Sequence, residues 1–120
     1  MPNLVVINNA DTVTPTTKEG AGVFSDLAGS PEGSKHPIVA GMWQLADIDG
    51  PTPAYEAEYD EVKYLVGGEL TLKDETTGLV SELRAGSLLW IPKGSVMSLV
   101  RSKGVRTIYV EQQFRKVDSS

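Results

Sequence analysis

The sequence predicts an all-β domain of two packed sheets, and three observations carry that prediction. Runs rich in β-branched and aromatic residues recur along the 120 residues, whereas stretches with a helical period are scarce. Gly, Pro, Thr, Ser and Asp break those runs at short, regular intervals, the punctuation of a sandwich or barrel. The length fits one domain with a single sizeable core, and no internal repeat divides it.

Taken in order, Asn3 to Asn8 reads as a first short strand, LVVI flanked by asparagines. Thr12 to Ser34 is polar and rich in Gly and Pro, mainly loop, with one short strand or turn around Val23 and Phe24. Pro37 to Leu45 is a strand, ADIDGPTP a turn, and Ala54 to Tyr59 begins the next strand. Glu61 to Val66 runs into a Gly67-Gly68 turn, and Glu69 to Asp74 leaves it. DETTG is a hairpin turn in which Gly78 supplies a positive φ. Leu79 to Leu83, Ser87 to Ile91, Val96 to Arg101 and Arg106 to Phe114 complete nine or ten strands. In domain terms, 1–36 is an N-terminal strand and loop arm, 37–114 the barrel core and 115–120 a tail, within a single domain 1–120.

Eleven basic against 16 acidic residues give a net charge of −5, and no cluster of Lys or Arg offers a stripe for nucleic acid. The apolar runs are strand-length, which excludes a bilayer-spanning helix. Met1 to Ile7 lacks the basic start and long apolar core of a signal peptide. Without cysteine there is no disulfide framework and no thiolate ligand or nucleophile. The expectation is a cytoplasmic protein with neither nucleic acid nor membrane as partner.

Two segments carry most of the information: YEAEYDEVKYLVGGEL (Tyr55 to Leu70) and GSLLWIPKGSVM (Gly86 to Met97). They resemble the two motifs of the cupins. In the first, Gly50 opens the motif, Glu61 stands at the glutamate position, and YLVGGEL looks like the strand and its Gly turn. In the second, Gly86, Pro92 and Gly94 match at the family spacing. The resemblance covers roughly Gly41 to Gln113 and implies a small double-sheet jelly-roll β-barrel that covers its edge strands by forming a homodimer. The YDE tripeptide (Tyr59 to Glu61) without H-x-H, followed by IPKGS, is most similar to the ethanolamine-utilisation Q-protein group.

Metal cupins bind through imidazoles and one carboxylate. Position by position, their two first-motif histidines fall here on Tyr55 and Ala57, the glutamate on Glu61, and the last histidine on Met97. One ligand of four remains, so no cofactor is expected. A divalent metal would need non-standard ligands, such as Glu56, Glu58 and Glu61 in a register shortened by one residue, a set that favours hard cations. The competing reading turns Glu56 and Glu58 to solvent.

The remaining candidates follow from chemistry and alternation. Glu61, partly desolvated in a barrel, is a candidate acid/base group. Lys63, two residues on, shares its face if alternation holds, and either pairs with Glu61 or activates a carbonyl. Tyr55 could orient an oxygen of the substrate. His36, the only histidine, is either an exposed loop residue or an acid/base group folded over the barrel mouth. Trp43, Tyr59, Trp90 and Met97 either enlarge an apolar pocket or pack as core. On the last strand, Tyr109, Glu111 and Gln113 fall with Thr107 on one polar face, either solvent or pocket.

Three functions remain open at this stage. One is a metal-independent isomerase, cyclase or lyase acting on an oxygenated small molecule; the second is a metal cupin with unusual ligands. The third is a non-catalytic binding or scaffold protein. The Q-protein resemblance also implies an acetate-kinase-type activity, against which the chain offers no Gly-rich phosphate loop.

Overall fold

Apolar alternation in this chain is spent on two very long strands around which the others assemble. The computed structural model describes residues 3–117. Its strands are β1 (Thr17–Glu19), β2 (Gly22–Gly29), β3 (Val39–Leu45), β4 (Ile48–Asp49), β5 (Tyr55–Glu56), β6 (Glu61–Asp74), β7 (Val80–Arg84), β8 (Leu88–Ile91) and β9 (Val96–Glu111). All pairings are antiparallel, in the order β1-β2-β3-β9-β6-β7, with β4 and β5 also on β9 and β8 also on β6. One 3₁₀ turn spans Ala10–Thr12. No helix among the described residues is long and apolar enough to cross a membrane.

Strands β6 and β9, 14 and 16 residues long, fold the sheet over on itself. Their first and second halves take different neighbours, and the register slips at Gly67 and again before Glu69. Gly68 (φ 82°) faces Gly104 (φ 60°) at this bend, and a Cβ on Gly68 would run into the Gly104 carbonyl. Leu45, Leu65, Leu70, Leu72, Leu83, Leu99 and Val105 come from both halves and meet inside the fold. Burial of each such side chain contributes roughly 2 kcal/mol.

Several sequence expectations are revised here. Asn3 to Asn8 forms no strand; Leu4 to Ile7 lie exposed, because no strand among the described residues pairs with them. Gly67-Gly68 is a bend within one strand, and Val96 to Glu111 is likewise continuous through Lys103-Gly104. The segment 12–34, expected to be mainly loop with one short strand or turn around Val23 and Phe24, contains two strands, β1 and the eight-residue β2, so the sheet begins before residue 37. The Asp74 to Gly78 turn is present: Asp74 Oδ1 accepts the Thr76 and Thr77 amides, and Gly78 has φ 76°.

The two segments singled out in the sequence meet in space. Ala57 N–H donates to Ser95 O, Gly94 N–H to Ala57 O, and Asp60 Oδ1 accepts the Lys93 amide. Asp60 thus ties the strand entry to the Pro92–Gly94 turn, and Tyr55 lies directly opposite Met97.

Candidate functional site

Strand register alone brings the site together. On the inner face, one row across the sheet reads Asp26, Gly41, Tyr109, Lys63, and the next places Glu111 beside Glu61. Gly41 is required there: a Cβ would strike the Tyr109 phenol, which crosses β3 so that its hydroxyl donates to Asp26 Oδ1 at 2.6 Å. Gly22 similarly leaves room for the Trp43 indole. Trp43, Tyr109, Lys63, Glu61 and Glu111 line a cavity of about 470 Å³ whose mouth carries the exposed carboxylates Glu19, Glu56 and Glu58.

Glu61 and Lys63 form the reactive-looking pair. Lys63 Nζ is 3.4 Å from Glu61 Oε2 and 4.3 Å above the Trp43 ring, and both side chains are largely buried. The pair is within ionic reach but off hydrogen-bond geometry, so Glu61 Oε2 is a buried acceptor without a bonded partner. Desolvation pushes the Glu61 pKa up to about 7; Lys63 opposes the shift and the neighbouring Glu111 adds to it. Burial and then Glu61 push the Tyr55 pKa up to about 12. Burial, followed by Glu111 and Glu61, does the same to Tyr59. Both tyrosines are therefore neutral phenols able to donate a hydrogen bond.

A second network closes the far side. Arg115 donates from Nε and Nη2 to both oxygens of Asp26 at 2.8 Å, and Nη2 also lies 2.8 Å from Glu111 Oε2. Its guanidinium stacks on Phe24, 4.7 Å from the ring centre. Burial works against the Arg115 charge, but Asp26 and Glu111 outweigh it and raise its pKa further. The Tyr109 pKa is raised by burial and by its bond to Asp26. Gln113 Nε2 donates to Glu111 Oε2 at 2.6 Å.

Of the residues singled out in the sequence, Trp43, Tyr55, Tyr59, Glu61, Lys63, Tyr109 and Glu111 line this cavity. Gln113 acts one step back, through Glu111. Met97 is buried beside Tyr55 and does not reach the lining. Two candidates are corrected. His36 lies exposed in the loop that joins β2 to β3, away from the cavity, because that loop closes the end of the hairpin opposite Gly22 and Leu45, which line it. Trp90 alternates outward on β8 and is 58 % exposed. Sequence reasoning missed Asp26 and Arg115. The available signals were Phe24 and Asp26 at strand spacing, and Arg115 four residues beyond Glu111.

The usual transition-metal set of this fold does not fit these residues. The neutral phenol of Tyr55, the Ala57 methyl and the Met97 thioether replace imidazoles, leaving Glu61 beside Lys63, a competing cation. Glu56 and Glu58 line the mouth, yet among the described residues no three Asp, Glu or His side chains gather to hold an ion.

A folded-over antiparallel sheet with an inward carboxylate and a Gly–Pro turn closing the same end defines a cupin, here with a rebuilt site. More particularly, the chain belongs to the family of the ethanolamine utilisation protein EutQ, whose model matches residues 4–114. The EutQ protein of Clostridium difficile is similar at 26% identity and TM-score 0.57, covering 76% of this chain and 61% of its own. The Salmonella typhimurium protein assigned as ethanolamine utilization protein Q is 30% identical with TM-score 0.58, covering 76% and 68%. The chain thus spans about three-fifths to two-thirds of these relatives. The polyketide cyclase RemF of Streptomyces resistomycificus shares the fold at 19% identity and TM-score 0.63, covering 98% and 88%. Comparison with curated proteins gives no significant match.

Proposed function

We propose that the chain is a metal-independent enzyme of the isomerase, cyclase or lyase type, acting in the cytoplasm on an oxygenated small molecule. The observation that supports this reading is Glu61, a largely buried carboxylate 3.4 Å from Lys63 and without a hydrogen bond to its Oε2, in the lining of a cavity large enough for a small metabolite. A carboxyl group with a pKa near 7 can both take and return a proton at cellular pH. In the simplest case Glu61 removes a proton from the carbon next to a carbonyl, and the electron pair moves into the enolate. Lys63, Tyr55 or Tyr59 donates to the developing oxyanion. Where that carbon bears a hydroxyl, transfer of the hydroxyl proton to the former carbonyl oxygen and return of the proton from Glu61 to the former carbonyl carbon complete an isomerisation with no other reactant. The acidic mouth favours neutral or cationic substrates over phosphates and carboxylates.

The test is turnover of a panel of hydroxy-carbonyl compounds by wild type and Glu61→Gln. Loss of a positioned acid/base group is expected to lower kcat by at least about a hundredfold. Metal content measured on the same samples separates this mechanism from one with non-standard ligands. Membership of the EutQ family favours a second reading, a non-catalytic ligand-binding or scaffold protein. That reading requires ligand binding without turnover, undiminished in Glu61→Gln.

A further inference from the structure

An ion pair alone does not account for the burial of Lys63. Of the chain's seven lysines it is the one that is buried, at 9 % exposure. A lysine is rarely taken out of water, because its ammonium loses hydration that one partner does not replace. Here the partner is Glu61 at 3.4 Å, off hydrogen-bond geometry, and no other carboxylate among the described residues forms a salt bridge with Nζ. Arg115, the other cation of the cavity, is by contrast fixed by both Asp26 and Glu111.

The surroundings of the amine suit a different task. Nζ sits 4.3 Å from the centre of the Trp43 ring and 5.7 Å from that of Tyr109, in the lining of the same cavity as Glu61. A primary amine held against aromatic walls beside a proton acceptor is the arrangement in which a lysine acts as a nucleophile towards a carbonyl carbon.

We propose that Lys63 is a catalytic residue that forms an imine with an aldehyde or ketone group of the substrate. This rests on the acid/base reading of Glu61 and adds to it the substrate class and the electron sink. Lys63 hands one ammonium proton to Glu61, and its nitrogen attacks the carbonyl carbon as the C=O π pair moves to oxygen. A proton passes from nitrogen to that oxygen, giving a carbinolamine. Glu61 then returns its proton to the hydroxyl, water leaves, and the nitrogen lone pair closes the C=N bond. The ammonium–carboxylate pair has become an iminium–carboxylate pair, with one water released and no other reactant. Glu61 next takes the proton from the adjacent carbon, and the electron pair moves through to nitrogen. The cavity then holds a neutral enamine and a carboxylic acid instead of an oxyanion, which suits its aromatic walls. Return of the proton and hydrolysis of the imine release the product and restore Lys63.

Borohydride reduction tests the assignment, because it converts an imine into a stable secondary amine. The full chain is incubated with glycolaldehyde or hydroxyacetone, reduced, digested and mapped by mass spectrometry. A trapped lysine gains the mass of the probe less one oxygen atom. Lys63 should label ahead of the six lysines outside the cavity, and Glu61→Gln should slow that labelling by about a hundredfold by removing the proton acceptor. Lys63→Arg keeps the charge but forms no imine; it should lose turnover of the hydroxy-carbonyl panel, with far-UV circular dichroism confirming its fold. Lys63→Met is the second variant should arginine disturb the packing. Labelling of Lys63 by neither probe, or no faster than the other lysines, overturns the proposal. Undiminished turnover in Lys63→Arg overturns it as well, and if Glu61→Gln has lost turnover the acid/base reading then stands alone. Labelling of Lys63 that depends on Glu61, with no compound of the panel turned over, upholds the nucleophile and overturns the enzyme reading.

Discussion

Along β6 and β9 the side chains alternate between two faces that invert the usual plan of an antiparallel sheet. At the cavity end the inner face carries Glu61, Lys63, Glu111 and, from β2, Asp26, where apolar residues would normally pack. The outer face of the same residues carries Tyr64, Leu88, Trp90 and Val110, where polar residues would normally meet water. Polar groups brought inside mark a place built to engage a ligand. Apolar groups left outside mark a place built to be covered. Glu61→Gln should therefore lower turnover, whereas Trp90→Glu, on the outer face, should leave turnover unmoved.

The largest effect on folding should come from Arg115, the one cation that pairs with Asp26 and Glu111 among the described residues. Arg115→Ala strands two mostly buried carboxylates and is expected to cost about 4 kcal/mol in urea unfolding. On the outer face, Leu88→Ser should shift the stability of the monomer by less than about 0.5 kcal/mol, measured at high dilution. Equal costs at the two positions would erase the distinction between the faces.

The inner face should also make stability depend on pH. Glu61 ionises at its ordinary 4.5 in the unfolded chain but at about 7 in the fold. Below 4.5 it is protonated in both states, and its folding carries no ionisation cost. Between those values the unfolded chain has released a proton that the native state still holds, so stability falls as pH rises. The loss is complete above 7 and amounts to about 3 kcal/mol. Glu61→Gln should remove this decline and be more stable than wild type above the window. An unchanged slope in the variant would assign the pH dependence to other groups.

What was legible in the sequence follows the same division. Alternation placed Glu61 with Lys63, and Tyr109 with Glu111, because a two-residue period needs no knowledge of partners. It could not say which face of SLLWI was inward, and Trp90 was given to the pocket. The motif frame identified the barrel, since Gly68 and Gly94 meet backbone requirements that few residues satisfy. Of β2 only a short strand or turn around Val23 and Phe24 was legible, because Ser25, Asp26 and Gly29 give the rest a loop's composition, and its strand character comes from pairing with β3. Arg115 stayed hidden because it lies beyond the last strand and reaches the site only through the chain's return after Glu111. The arm is the opposite case: LVVI has a strand's composition, and the monomer provides nothing to pair with it.

The smallest expected effect concerns how deep the inner polarity extends. Thr107 lies one row below the cavity residues, between Trp43 and Leu65, fully buried and with no partner for its Oγ1. If the polar patch ends at the cavity floor, that hydroxyl carries only its desolvation cost. Thr107→Val, nearly the same shape, should then leave stability unchanged or raise it by up to about 1 kcal/mol. A clear loss in thermal unfolding would mean that the hydroxyl is bonded to an enclosed water shared with the site. The polar inner surface would then continue below the cavity, and Thr107 would belong with Glu61 and Lys63.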